Sequence, residues 1–224
     1  MQDQDTAEWL ADSVQIDTIN VEICFLLNPD FYIGDANDPA QFNDPTYREP
    51  LVLPTFPRLV DRIARSSEVV GHEQELLKYY ARILRRQRER GGGYNDIRHY
   101  FWVRLWLWND EHALDISFPW YDTLSEMRPF FRWLDTDEDG VFMDIEQSWE
   151  LEGLTQGELV YLRQGNSDEG EHYVNIATSR LALALAAQQA EDRATAIVAQ
   201  LSREVGFDAW TTYRRDDPLA STES

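Results

Sequence analysis

Residues 97–108 read Ile-Arg-His-Tyr-Phe-Trp-Val-Arg-Leu-Trp-Leu-Trp, a run that is apolar on both sides of a two-residue repeat. A strand with two apolar faces has to be covered on both, so the run is expected to be an interior strand. Asn109-Asp110-Glu111 interrupts it and Ala113–Phe118 returns, which predicts a hairpin of 97–108 and 112–119. Further strands are expected at 18–27, 141–152, 158–164 and 170–176, and helices at 6–13, 57–66, 73–90, 121–134 and 179–205. Pro129 should kink or restart the fourth helix. The last helix sets Leu181, Leu185, Ala194, Ile197, Val198, Leu201 and Val205 on one face and stops at Gly206. Residues 33–56 hold four Pro and read as an irregular surface loop. Strands follow strands without regular helix alternation. The fold class expected is therefore α+β, a mainly antiparallel sheet packed by helices with a long C-terminal helix. Residues 1–214 are expected to form a single domain and 215–224 a polar tail.

Charge narrows the partners. There are 41 acids against 20 bases, a net charge of −21. Eight Trp exclude a disordered chain. No apolar run approaches the roughly 18 residues of a membrane helix, and the first five residues are acidic where a signal peptide is basic, so a cytoplasmic location is expected. Cys24, the single cysteine, sits in an apolar run and reads as a buried, inert thiol. The acids cluster: the first 47 residues hold ten and no Lys or Arg, and nine lie between Arg132 and Arg163 without a base. Such a surface repels nucleic acid and anionic membranes and attracts basic partners. Arg82, Arg85, Arg86, Arg88 and Arg90 end one helix, where they suit its dipole and neutralise the chain's own acids.

Catalytic patterns are missing. His72, His99, His112 and His172 are scattered, and no nucleophile elbow, phosphate loop or zinc motif occurs, so neither an enzyme nor a cofactor is expected. Residues 135–146 do match the EF-hand pattern, with Asp135, Asp137, Asp139 and Glu146 as carboxylates and Gly140 at the turn. A calcium-binding interaction module is therefore the alternative reading. Against it, Met143, Ile145, Trp149 and Leu151 alternate with Asp144, Glu146, Glu150 and Glu152, the period of a strand and not of an exiting helix. An acidic turn leading into a strand fits better, and no metal ligand is assigned.

The segments GVFMDIEQSWELEG and ELVYLRQGNSDEGEHYVNIA, and a long helix ending in VGFDAWTTY, resemble bacterial immunity proteins of polymorphic and type VI secretion toxin systems. Trp106-Leu107-Trp108 is similar to the Trp-x-Trp hallmark of immunity protein family 52, which is associated with toxins of restriction-endonuclease-like fold. The resemblance spans about residues 96–213. It implies binding and neutralisation of a cognate toxin, a nuclease, with Trp106 and Trp108 as family-typical structural positions. The acids then expected to meet the toxin are Asp137 and Asp139 beside a ladder of Asp144, Glu146, Glu150 and Glu152 along one strand face.

Overall fold

A computed structural model of the chain describes residues 9–35 and 38–220. In chain order the strands are β1 (Val14–Gln15), β2 (Asn20–Leu26), β3 (Asp30–Tyr32), β4 (Arg48–Pro50), β5 (Ile63–Arg65), β6 (Val103–Asn109), β7 (Leu114–Ser117), β8 (Val141–Glu146), β9 (Trp149–Gln156), β10 (Leu159–Asn166) and β11 (Glu171–Ser179). The helices are α1 (Pro39–Phe42), α2 (Ser66–Val69), α3 (Glu73–Glu89), α4 (Leu124–Leu134) and α5 (Arg180–Val205). The fold is α+β, mainly antiparallel, with the long C-terminal helix that the sequence predicts. Residues 9–12 are helical, and the rest of the helix expected at 6–13 falls partly outside the described residues.

Two compact units make up the chain, both of them discontinuous. The first takes the described residues up to 22, 105–121 and 126–191, and the second takes 23–104, 122–125 and 192 onward. In the first, five strands lie in the order β1-β11-β10-β9-β8. β8 to β11 form an antiparallel meander, and β1 runs parallel to β11. Aromatic packing covers one face of this sheet. Phe130 and Trp133 of α4 each lie 5.3 Å from Phe142, and Phe118 reaches Phe130 at 5.0 Å and Trp149 at 5.5 Å. Trp133 lies so close over Gly153 that any Cβ there would overlap the indole. α4 runs unbroken through Pro129. The proline forfeits one bond to the preceding turn, and burial of Met127, Phe130, Phe131 and Leu134 holds the helix regardless. On the opposite face Trp9 covers the Arg163 guanidinium at 4.7 Å.

In the second unit α3 buries Leu76, Tyr79, Tyr80, Ile83 and Leu84. Tyr80, Phe101 and Trp210 pack ring on ring at 5.0–5.5 Å, with Tyr94 5.6 Å from Phe101. Cys24 is buried in β2. Residues 215–220, expected as a tail, include Asp217, whose carboxylate accepts from the Tyr94 and Leu219 amides.

Several expectations need correction. The helix expected at 57–66 is absent. Residues 63–65 pair as β5 with Leu26, Phe25 and Cys24 of β2, and helix forms only at α2. The loop expected at 33–56 contains α1 and β4, the helix started by the Asp38 cap and Pro39. Instead of a strand from residue 97, a short 3₁₀ stretch spans Arg98–Phe101, after another at Tyr94–Asp96, and the strand begins at Val103. β6 is interior in a four-stranded order β5-β2-β6-β7, but its faces differ: Val103, Leu105 and Leu107 are buried while Trp106 and Trp108 are half-buried. In the first turns of α5 the buried leucine is Leu183, and Leu181 and Leu185 are 79% and 56% exposed. Finally, the single strand expected over 141–152 is a hairpin. Gln147 and Ser148 form a two-residue turn with φ of 45° and 76°.

Candidate partner-binding surface at the edge of the sheet

That turn decides where the acids point. Across a two-residue hairpin, directly opposed residues share a face, and Ile145 opposes Glu150 while Glu146 opposes Trp149. Even positions of β8 therefore lie on the same face as odd positions of β9. Asp144 and Glu146 sit with Phe142, Trp149, Leu151 and Gly153 on the aromatic-covered side. Glu150 and Glu152 sit with Val141, Met143, Ile145 and Leu154 on the other. The expected ladder of Asp144, Glu146, Glu150 and Glu152 on one face does not exist. The Gln147-Ser148 turn reverses the alternation between Glu146 and Trp149.

The six acids accordingly have different surroundings. Asp137 and Asp139 are exposed on the loop before β8. Asp139 Oδ1 accepts from the Gly157 amide at 2.9 Å, and Arg180 donates to the Glu138 carbonyl at 2.8 Å and reaches the Asp137 carbonyl and Asp139 Oδ1 at 3.5 Å. A guanidinium thus supplies the positive charge at this loop. The loop continues into β8, with Gly140 N donating to Thr155 Oγ1 at 2.7 Å, so no exiting helix frames it. Among the described residues no three His, Cys, Asp or Glu converge to hold a metal ion. Glu152 is not a free surface acid: it pairs with Arg163, both side chains near 14% exposed. Glu150 is half-buried.

Asp144 and Glu146 border an open groove of about 380 Å³ that also contains Trp120, Tyr121, Glu126 and Pro129. Trp120 is 40% exposed. The Tyr121 hydroxyl bonds to Asp144, and burial together with the negative charge of Asp144 and Glu126 pushes its pKa far above the ordinary tyrosine value. The charged side chains lining the groove are all carboxylates.

The surface missed in the sequence is apolar. Val141, Met143 and Ile145 are 68%, 57% and 52% exposed, side by side on the outer face of β8. β8 ends the sheet, with β9 on one side and no strand of the described residues on the other. Alternating polarity marks Met143 and Ile145 as sharing a face, and nothing in the pattern marks that face as uncovered or adds Val141 to it.

Trp106 and Trp108 stack on each other at 5.6 Å, and Trp106 Nε1 donates to Asp115 at 2.7 Å. They brace one another on the half-covered face of β6. In the second unit the arginines of α3 serve their own chain: Arg82 donates to the Val52 carbonyl at 3.0 Å, Arg86 pairs with Glu49 at 3.1 Å, and Arg90 donates to the Ile33 carbonyl at 2.6 Å. No helix of the described residues is long and apolar enough to cross a membrane. No protein-family model, curated protein or solved structure matches the chain.

Proposed function

We propose that this chain is an immunity protein, which binds a cognate toxin in the cytoplasm and neutralises it by covering its active site, the toxin being a nuclease. The observation that carries the reading is the stripe of Val141, Met143 and Ile145, exposed by 68%, 57% and 52% at a sheet edge whose groove is lined by carboxylates. Adjacent large apolar side chains left in water fit a protein interface, and the acids select a basic partner. A nuclease is basic where it holds phosphates. The resemblance around Trp106–Trp108 and 141–213 supplies the class of partner. The chain acts by binding and not by catalysis, without a cofactor. A net charge of −21, with three α3 arginines already bonded within the chain, opposes nucleic acid or an anionic membrane as the ligand.

The test is growth of cells that express the toxin encoded beside this gene in their cytoplasm, with and without this protein, together with isolation of the complex. Rescue and a complex whose association slows as salt is raised are expected. Neither rescue nor a complex would overturn the reading.

A further inference from the structure

We infer that β8 is an acceptor edge, at which a basic extended segment of a partner protein adds as a sixth strand to the five-stranded sheet. The inference rests on the reading that this chain binds a basic protein, and it specifies how.

The backbone comes first. In the β8–β9 hairpin the residues flanking the two-residue turn, Glu146 and Trp149, form a hydrogen-bonded pair, and such pairs recur every second residue. Thr155 N donating to Gly140 O at 2.9 Å fits the same alternation. Phe142, Asp144 and Glu146 therefore spend their amides and carbonyls on β9. Val141, Met143 and Ile145 turn theirs to the open edge. The residues with exposed apolar side chains are thus the ones that offer free backbone donors and acceptors, a ready template for a strand.

The side chains then define the occupant. A strand laid on this edge alternates between two surroundings. On the outer face its residues meet Val141, Met143 and Ile145, which suits Val, Ile or Leu. On the other they meet the groove of Trp120, Tyr121 and Pro129 with Glu126, Asp144 and Glu146. Arg or Lys fits there, the stem against the rings and the cation among carboxylates. A second copy of this chain is the wrong occupant. Antiparallel pairing of two β8 strands about their middle would set Asp144 of each copy directly opposite or diagonal to Asp144 of the other, in a protein already carrying −21.

The probe is a peptide of alternating Arg and Val, about eight residues long, titrated into the whole protein while amide hydrogen exchange is followed residue by residue. Binding is expected to slow exchange at Met143 and Ile145 by at least about tenfold, since both amides gain a bond. A Glu–Val peptide should not bind. The Arg–Val peptide with alternate backbone nitrogens methylated keeps its charge and side chains but loses its donors, and should bind at least about tenfold more weakly. Met143→Pro removes an edge-facing donor, together with the Met side chain, and no donor spent on β9, so it should weaken the unmodified peptide at least as much; the methylated peptide isolates the backbone bonds and makes the point should that variant fail to fold. Absence of binding by the Arg–Val peptide, equal binding of the methylated one, or unchanged exchange at Met143 and Ile145 would overturn strand addition. So would dimerisation through this edge. A toxin complex unaffected by Met143→Pro would also overturn it while leaving the proposed function standing.

Discussion

Gly153→Ala should be destabilising only because Trp133 is there. A Cβ at this position overlaps the indole ring, and the ring is held from its sides by Phe130 at 5.7 Å and Phe142 at 5.3 Å. Overpacking of this kind costs about 1–3 kcal/mol. Alanine returns roughly 0.5–1 kcal/mol, because the unfolded chain loses less entropy on ordering it than on ordering glycine. The net expected loss is about 1–2 kcal/mol, a fall in melting temperature of about 2–8 °C for a chain of this size. In a Trp133→Ala background the overlap is gone, and Gly153→Ala should be neutral or stabilising by up to about 1 kcal/mol. Urea unfolding of the two single variants and the double variant measures the coupling, whose sign is the test. Equal losses in both backgrounds would show that the close approach of indole and strand does not govern this position.

Trp106→Ala, removing a half-buried ring, its stacking on Trp108 and one bond to Asp115, should cost about 1–2 kcal/mol in urea unfolding, below the roughly 3–5 kcal/mol of a fully buried Trp. Gln147 holds φ of 45° in the hairpin turn. Gln147→Gly should raise stability by about 0.5 kcal/mol and Gln147→Val should lower it by more than about 1 kcal/mol, which thermal unfolding will separate. His99 is half-buried, 4.2 Å from the Tyr100 ring, and burial, aided by Arg48 and Arg98, lowers its pKa to about 4 from 6.5. Below 6.5 the unfolded chain takes up a proton that the folded one refuses until about pH 4. The loss of stability, about 2 kcal/mol after allowing for partial exposure, therefore develops as pH falls through that window. His99→Phe should flatten the difference between urea midpoints at neutral and mildly acidic pH.

The class of fold was legible because strands that follow one another without helices between them can hardly pair other than antiparallel. The strand after Gly140 was legible from its period. The turn inside that strand was not, since Gln147-Ser148 carries neither the Gly nor the Asn that usually marks a left-handed pair. Its one trace was Gln147, which broke the apolar alternation. Without the turn, Asp144 and Glu146 fall on the same face as Glu150 and Glu152, and periodicity carries no sign of the Arg163 that pairs with Glu152. Periodicity also cannot say which face is covered. Val141, Met143 and Ile145 look like core from their residue types, as Leu181 and Leu185 of α5 do, and all five face water. Nor does the pattern show that the face of Trp106 and Trp108 is covered only in part.

The pairing of β1 with β11 sets a timetable for synthesis. Each step of the meander from β8 to β11 closes over two to four connecting residues, and such hairpins form within microseconds of leaving the ribosome. The segment that carries β1 has a different history. Ser13 meets Asn175 across 162 positions, so at ribosomal speeds the first segment waits roughly 8–30 s for the strand it will join. Through that interval Trp9 has no Arg163 to lie on, and once β11 emerges its outer edge stays unguarded until β1 arrives. In a newly made molecule, then, the sheet has a second open edge at the opposite end from β8, and it closes only when β1 meets a strand made about 160 residues after it.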